Sequence, residues 1–185
     1  MKQLTRAIGI SVLTVLALAR PSLAQRTIAL AVGGGAAVPV GKLRDTNTTG
    51  YNAILGLAIG VAELPIGFRF DGIYNNFLHN KTVPPAGSSA SHDLRVIGGL
   101  GNLIYAFPGS IAKPYIIAGG GLYSTKSDTT GAKSDNIFGF NAGLGITFGL
   151  GPFVTFLESR YHSIPRKVSK GGAIHFVPIT VGLMF

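Results

Sequence analysis

The chain has 185 residues, a formal net charge of +9, no cysteine and no tryptophan, yet only 12% of its residues are charged and its mean hydropathy is +0.41. The missing cysteines exclude a disulfide framework, thiol nucleophiles and thiolate-bound metals. Beyond the first two dozen residues no run of about 18 apolar side chains remains for a transmembrane helix, so the way left to span lipid is a closed sheet that pairs every backbone group internally.

The N-terminus reads as a secretory signal over residues 1–24. Lys2 and Arg6 supply the positive start, Ala7 to Ala19 the apolar stretch, and Ser22-Leu23-Ala24 the small residues of a cleavage site before Gln25. Arg20-Pro21 interrupts the run too early for an anchoring helix. The mature chain, 25–185, reads as one domain and stays basic after Lys2, Arg6 and Arg20 are removed.

From Thr27 the sequence divides into extended segments at 27–38, 51–61, 66–77, 92–107, 113–124, 136–149, 152–163 and 174–185. Each is long enough to cross a bilayer at a tilt. The connections alternate: long and polar at Pro39–Gly50, Leu78–Ser91, Thr125–Asp135 and Ile164–Ala173, short at Ala62–Pro65, Pro108–Ala112 and Gly149–Gly151. An up-and-down barrel with long extracellular loops and tight periplasmic turns produces that parity and places both ends of the mature chain on the periplasmic side. The fold class expected is therefore all-β, an eight-stranded antiparallel up-and-down transmembrane barrel.

Alternation within the segments assigns faces. In the sixth, Phe138, Phe140, Ala142, Leu144, Ile146 and Phe148 share a side read as lipid-facing, and Gly139, Asn141, Gly143, Gly145 and Thr147 share the lumenal one. In the third, Phe68, Phe70 and Tyr74 oppose Arg69, Asp71 and Asn75. In the seventh, Phe153, Leu157 and Tyr161 oppose Phe156, Glu158, Arg160 and His162. The last runs outward at Val177, Ile179, Val181, Leu183 and Phe185, and inward at Pro178, Thr180, Gly182 and Met184. The second and fourth, with Gly56, Gly60, Gly98, Gly99 and Gly101, do not declare a face. Glycine on an inner wall leaves room for long side chains in a lumen narrow enough to be filled.

The segment order, the signal, K-P-Y-I-I-A-G-G-G-L-Y (Lys113–Tyr123), G-F-N-A-G-L-G-I-T-F (Gly139–Phe148), F-L-E-S-R-Y-H (Phe156–His162) and Phe185 together resemble the small eight-stranded outer-membrane β-barrel family related to OmpA and OmpX. The resemblance covers essentially the whole mature chain and implies a place in the cell outer membrane of a diderm bacterium. It also implies that Phe185 serves as a signal to the outer-membrane assembly machinery. Its motifs are degenerate and carry little about activity.

Candidate functional residues fall into two groups. Glu158 and Arg160 are two apart on one strand and share a face, and Arg69, Asp71 and Arg95 are expected to join them, with Asp93 a further candidate, as a lumenal charge network. Carboxylates and arginines in near balance favour a neutralised plug over paired carboxylates for acid–base work. The long loops carry Lys42, Arg44, Lys81, Lys126, Lys133, Arg166, Lys167 and Lys170 against few acids, a basic extracellular rim suited to anionic outer-membrane lipid and lipopolysaccharide. Nucleic acid is not an expected partner of an exported surface without interleaved exposed aromatics. No cofactor is expected, and the chain is read as a monomer.

An enzymatic rival is a lipid A-modifying deacylase, small barrels that place His, Ser and Glu on neighbouring outward positions. Here His162 and Ser163 are adjacent and so point to opposite faces. His79, His92, His162 and His175 are too dispersed for a recognisable metal site. The runs Gly33–Gly35 and Gly119–Gly121 are not phosphate loops, since neither G-K-[ST] nor a helix comes after them. The reading is a non-enzymatic envelope protein with a structural, surface-interaction or adhesion role. A small porin-like channel is the alternative, and a soluble lipocalin-like carrier a further one, which would need an apolar interior and a polar exterior.

Overall fold

A computed structural model describes residues 28–61, 63–79, 93–127, 135–150, 153–166 and 172–185; the signal segment at 1–24 lies outside them. The strands are β1 Ile28–Val40, β2 Asn47–Gly60, β3 Ile66–His79, β4 Leu94–Ala106, β5 Ala112–Ser127, β6 Asp135–Leu150, β7 Phe153–Ile164 and β8 Ile174–Met184. Each pairs antiparallel with the next, and β1 pairs with β8, so the sheet closes as an up-and-down barrel in sequence order. The seam runs in register from Ala31 opposite Met184 to Val40 opposite His175. Phe185 extends it, its N–H donating to Leu30 O at 3.0 Å and its carbonyl accepting from Leu30 N at 2.9 Å. Neither β1 nor β8 is left with an unpaired edge over that length.

The strand alternation decides the faces as read for β3, β6, β7 and β8. It also resolves the two undeclared ones. On β2, Asn52, Ile54 and Gly56 point in while Tyr51, Leu55 and Leu57 point out; on β4, Val96, Leu100 and Asn102 point in while Ile97, Leu103 and Tyr105 point out. Both faces of these strands carry aliphatics, which is why alternation of hydrophobicity could not separate them.

The first long connection differs from expectation. Instead of a loop through Gly50, Lys42–Thr46 forms one helical turn, α1, and β2 already starts at Asn47. Gly41 takes φ 59° at the turn into α1, a left-handed backbone open to glycine. Leu43 is buried against the long-loop end of the lumen, so one apolar residue in a polar stretch tethers the connection.

The outer wall is apolar. Leu144, Leu55, Leu122 and Phe140 are 66%, 61%, 61% and 59% exposed, and the rest of the outward rows is similar. A water-soluble barrel does not present such a continuous surface, and a lipocalin-like carrier would have the reverse distribution. Aromatics ring both ends of this band: Tyr51, Tyr74, Phe138 and Tyr161 toward the long loops, Phe68, Tyr105, Phe148 and Phe153 toward the short turns. Such girdles sit at the two interfaces of a bilayer.

Candidate functional site

The interior is organised around four ions. β3 contributes Arg69-Phe70-Asp71 and β7 contributes Glu158-Ser159-Arg160, with the charged members of each pair two residues apart and both inward. In an eight-stranded closed barrel β3 and β7 stand on opposite walls and run in the same direction. The opposite charge order on the two strands therefore sets Arg69 against Glu158 and Asp71 against Arg160. Arg69 Nη2 lies 2.7 Å from Glu158 Oε2, and Arg160 Nη1 lies 2.8 Å from Asp71 Oδ2. The remaining contacts close a ring: Arg69 Nε is 3.0 Å from Asp71 Oδ1, and Arg160 Nε is 2.8 Å from Glu158 Oε1. Each ion thus touches both ions of opposite sign, and all four side chains are 3% exposed or less.

Neighbouring strands complete the coordination. The Tyr115 hydroxyl on β5 donates to Glu158 Oε2 at 2.7 Å. Asn102 Nδ2 on β4 donates to Asp71 Oδ2 at 2.9 Å, and Asn141 Nδ2 on β6 donates to Asn102 Oδ1 at 2.9 Å. Room for these side chains comes from inner-wall glycines. A Cβ at Gly56 would lie 2.5 Å from Asp71 Oδ1, one at Gly143 would lie 2.7 Å from Arg160 Cγ, and one at Gly145 would overlap the Tyr115 ring. Beside the ring, Phe156 packs into the space at Gly182 and lies under Arg69, with the guanidinium carbon 5.9 Å from its centroid.

Toward the long loops the filling turns apolar. Phe77, Val96, Ile164, Ile174, Phe176 and Leu43 form this layer. His162 is fully buried among them, stacked 4.7 Å from Phe176 and bonded through Nδ1 to the Tyr123 hydroxyl at 2.8 Å. A second polar contact lies near the seam. Thr180 Oγ1 donates to Asn52 Oδ1 at 3.0 Å, and Asn52 Nδ2 donates to Ala36 O at 2.8 Å, so β2 reaches across β1 to β8.

Arg95 is a correction to the expected network. Its parity on β4 is opposite to that of Val96 and Asn102, so it stands on the outer wall near the long-loop end, with its guanidinium carbon 5.9 Å from the Tyr74 ring centroid. Asp93 also lies away from the ring, accepting from His79 N at 3.1 Å. Tyr115, Asn102 and Asn141 were not among the expected network members. They are uncharged, and the signal that could have found Tyr115 and Asn102 is inward parity opposite glycine: Tyr115 faces Gly145, and Asn102 faces Gly119.

No protein-family model matches the sequence, and no curated protein matches it. Solved structures do match. Neisserial surface protein A is similar with a TM-score of 0.63 at 16% identity, over 86% of this chain and 96% of that one. A major outer membrane protein from Thermus thermophilus is similar with a TM-score of 0.51 at 12% identity, over 86% of this chain and 99% of that one. The chain has the fold of the small eight-stranded outer-membrane β-barrels.

On this outer-membrane barrel fold the expected rim residues are scattered around one end. Lys42 and Arg44 are exposed on α1, Lys126 is exposed on the outward face of β5, and Arg166 comes just after β7, half-buried. Lys133, Lys167 and Lys170 lie outside the described residues, as do Lys81 and His92. The deacylase arrangement does not form among the described side chains. Ser163 and His175 are outward partners in the β7–β8 register, but Glu158 is inside, and no described carboxylate side chain stands on the outer face of β6, β7 or β8. Among the described residues no group of three His, Cys, Asp or Glu side chains could hold a metal ion.

Proposed function

We propose that this chain is a non-enzymatic outer-membrane barrel with a sealed lumen, which serves the envelope by structure and by surface contact or adhesion through a basic extracellular rim. The observation that carries this reading is the neutral four-ion ring inside an apolar outer wall. Every ring member is hydrogen-bonded or ion-paired to another ring member, and Tyr115 and Asn102 donate to Glu158 and Asp71, which supports both carboxylates as ion-pair partners rather than as a base beside an activated nucleophile. The ring and the apolar layer above it fill the bore, which argues for a plug rather than a pore.

The long loops face outward and the chain ends lie on the periplasmic side, as loop length by parity implies. The rim meets lipopolysaccharide or anionic lipid headgroups through Lys42, Arg44, Lys126, Lys133, Arg166, Lys167 and Lys170, and the assembly machinery reads the strand ending in Phe185. The barrel acts as a monomer. Replacing Arg166, Lys167 and Lys170 together by Gln tests the rim: binding to vesicles bearing anionic outer-leaflet lipid should weaken and lose salt dependence. Unchanged affinity with unchanged salt dependence would refute it. In planar bilayers the unmodified protein should show no stable single-channel conductance, and a steady conductance would overturn the sealed lumen.

A further inference from the structure

The outer wall below the long loops carries a feature of its own. Among the described strand residues that face outward, Arg95 and Lys126 are the only Lys or Arg side chains, and they are direct cross-strand partners on β4 and β5. In the same row stand Asn76 on β3, opposite Arg95, and Tyr51 on β2, opposite Asn76. Tyr51 and Tyr74 are stacked at 6.0 Å between centroids, with Arg95 over the Tyr74 ring. Asp93, two residues before Arg95, accepts from His79 N at 3.1 Å and from Asn76 Nδ2 at 3.4 Å.

Beneath this pair the wall falls away. Gly72 pairs with Gly99, and Gly101 with Gly120, all outward. A Cβ at Gly99 would meet no atom within 4 Å and one at Gly72 only Leu55 O at 3.8 Å, whereas the Phe70 ring lies 3.7 Å from a Cβ at Gly101 and the Phe138 ring 3.1 Å from one at Gly120. The open trough is at Gly72 and Gly99, with Phe70, Leu122 and Phe138 exposed around it. Gly99 lies roughly 13 Å along β4 from Arg95 at the usual rise per residue, a depth that belongs to acyl chains when Arg95 and Lys126 are level with headgroups.

We propose that Arg95 and Lys126 bind the phosphate of an outer-leaflet lipid A molecule, one acyl chain of which lies along the trough at Gly72 and Gly99. This deepens the rim reading and rests on the same orientation of the barrel in the outer membrane. Charge complementarity chooses the occupant, since two adjacent cations at an apolar–polar boundary match a phosphorylated lipid and not a neutral one. The flat Tyr51–Tyr74 shelf suits the interfacial end of such a molecule.

The test titrates the purified full-length barrel in phosphatidylcholine nanodiscs with diphosphorylated lipid A, and counts bound lipid by native mass spectrometry. Arg95→Gln with Lys126→Gln should weaken binding about thirtyfold, which is about 2 kcal/mol at 1.4 kcal/mol per factor of ten. Lipid A stripped of its phosphates should bind the unmodified barrel as weakly as intact lipid A binds the variant. Gly99→Leu, at a position where a Cβ meets no atom within 4 Å, should also weaken binding while heat-modifiable gel mobility stays normal. Equal binding by the double variant and the unmodified barrel, or equal binding of the two lipids, would overturn the site. The loop variant at Arg166, Lys167 and Lys170 separates the two ideas. Weak binding there with full binding by the Arg95/Lys126 variant refutes the wall site and supports the rim, and the reverse refutes the rim and supports the wall site.

Discussion

Removing Arg160 tests whether the four buried ions act as a unit. Arg160 touches Asp71 and Glu158 at 2.8 Å each. With charge centres about 4 Å apart and an effective dielectric near 20, each contact contributes roughly 4 kcal/mol of attraction. Releasing Arg160 from the cost of burial offsets part of the loss, so Arg160→Met should destabilise the barrel by about 3–5 kcal/mol, the range seen when one partner of a buried pair is lost. Asp71→Asn should cost a similar amount, since it leaves Arg69 and Arg160 to share the single charge of Glu158. Combining the two leaves Arg69 on Glu158 at 2.7 Å with Tyr115 still donating, a neutral and paired remainder. The double variant should therefore cost about as much as either single one, a coupling of about 3–5 kcal/mol, equal to one single cost. With no tryptophan in the chain, the assay is urea unfolding from lipid vesicles followed by heat-modifiable gel mobility and far-ultraviolet circular dichroism. Additive single costs would refute the ring as a coupled unit.

Other substitutions probe the walls. Gly182→Val would drive a side chain into the Phe156 ring and should cost at least about 1–3 kcal/mol, whereas Gly99→Ala, with open space at its Cβ, should leave stability within about 1 kcal/mol; the same urea titration compares them. Val181 faces out opposite Gly34, midway along β1, so Val181→Arg should lower folding yield into vesicles by about 2–4 kcal/mol equivalent. Thr180→Ser keeps the hydroxyl donor and should fold normally. Asn52→Ala removes the contacts to Ala36 O and Thr180 and should cost about 1–3 kcal/mol through the buried groups it leaves unpaired, read as lower stability in the same titration.

Much of the barrel was legible because a lipid-facing strand must alternate. β3, β6, β7 and β8 could be given faces from sequence since Arg69, Asp71, Glu158, Arg160 and the glycine row mark one side. β2 and β4 could not, because the upper lumen is itself apolar: Ile54, Val96 and Leu100 face inward opposite outward Leu55, Ile97 and Leu103. Arg95 was misassigned by treating every strand charge as lumenal. That rule holds at mid-bilayer and fails at the boundary, where a long cationic side chain reaches headgroups. α1 was hidden for a related reason, one buried Leu43 among polar neighbours giving no period to read. Tyr115 and Asn102 were missed because charge balance was counted and neutral donors were not.

These misses point to what holds the fold in register. In lipid the apolar exterior makes contacts no better than those it would make in another arrangement of the same strands, so burial of the outer wall does not choose the pairing. Interior polar groups do. A one-residue slip of β3 would turn Arg69 and Asp71 to lipid, and a slip of β7 would do the same to Glu158 and Arg160. Either slip also removes half the counter-ion contacts of the pair that stays in the lumen, leaving Glu158 only Arg160, or Arg69 only Asp71, and it puts two ions into lipid, a cost of several kcal/mol. Because the ring joins β3 to β7 across the lumen, while Asn52 and Thr180 join β2 to β8 across β1, the two contacts fix opposite parts of the sheet. The ionic interior therefore acts on strand register, and a barrel with the ring replaced by neutral side chains should lose specificity of pairing before it loses its apolar wall.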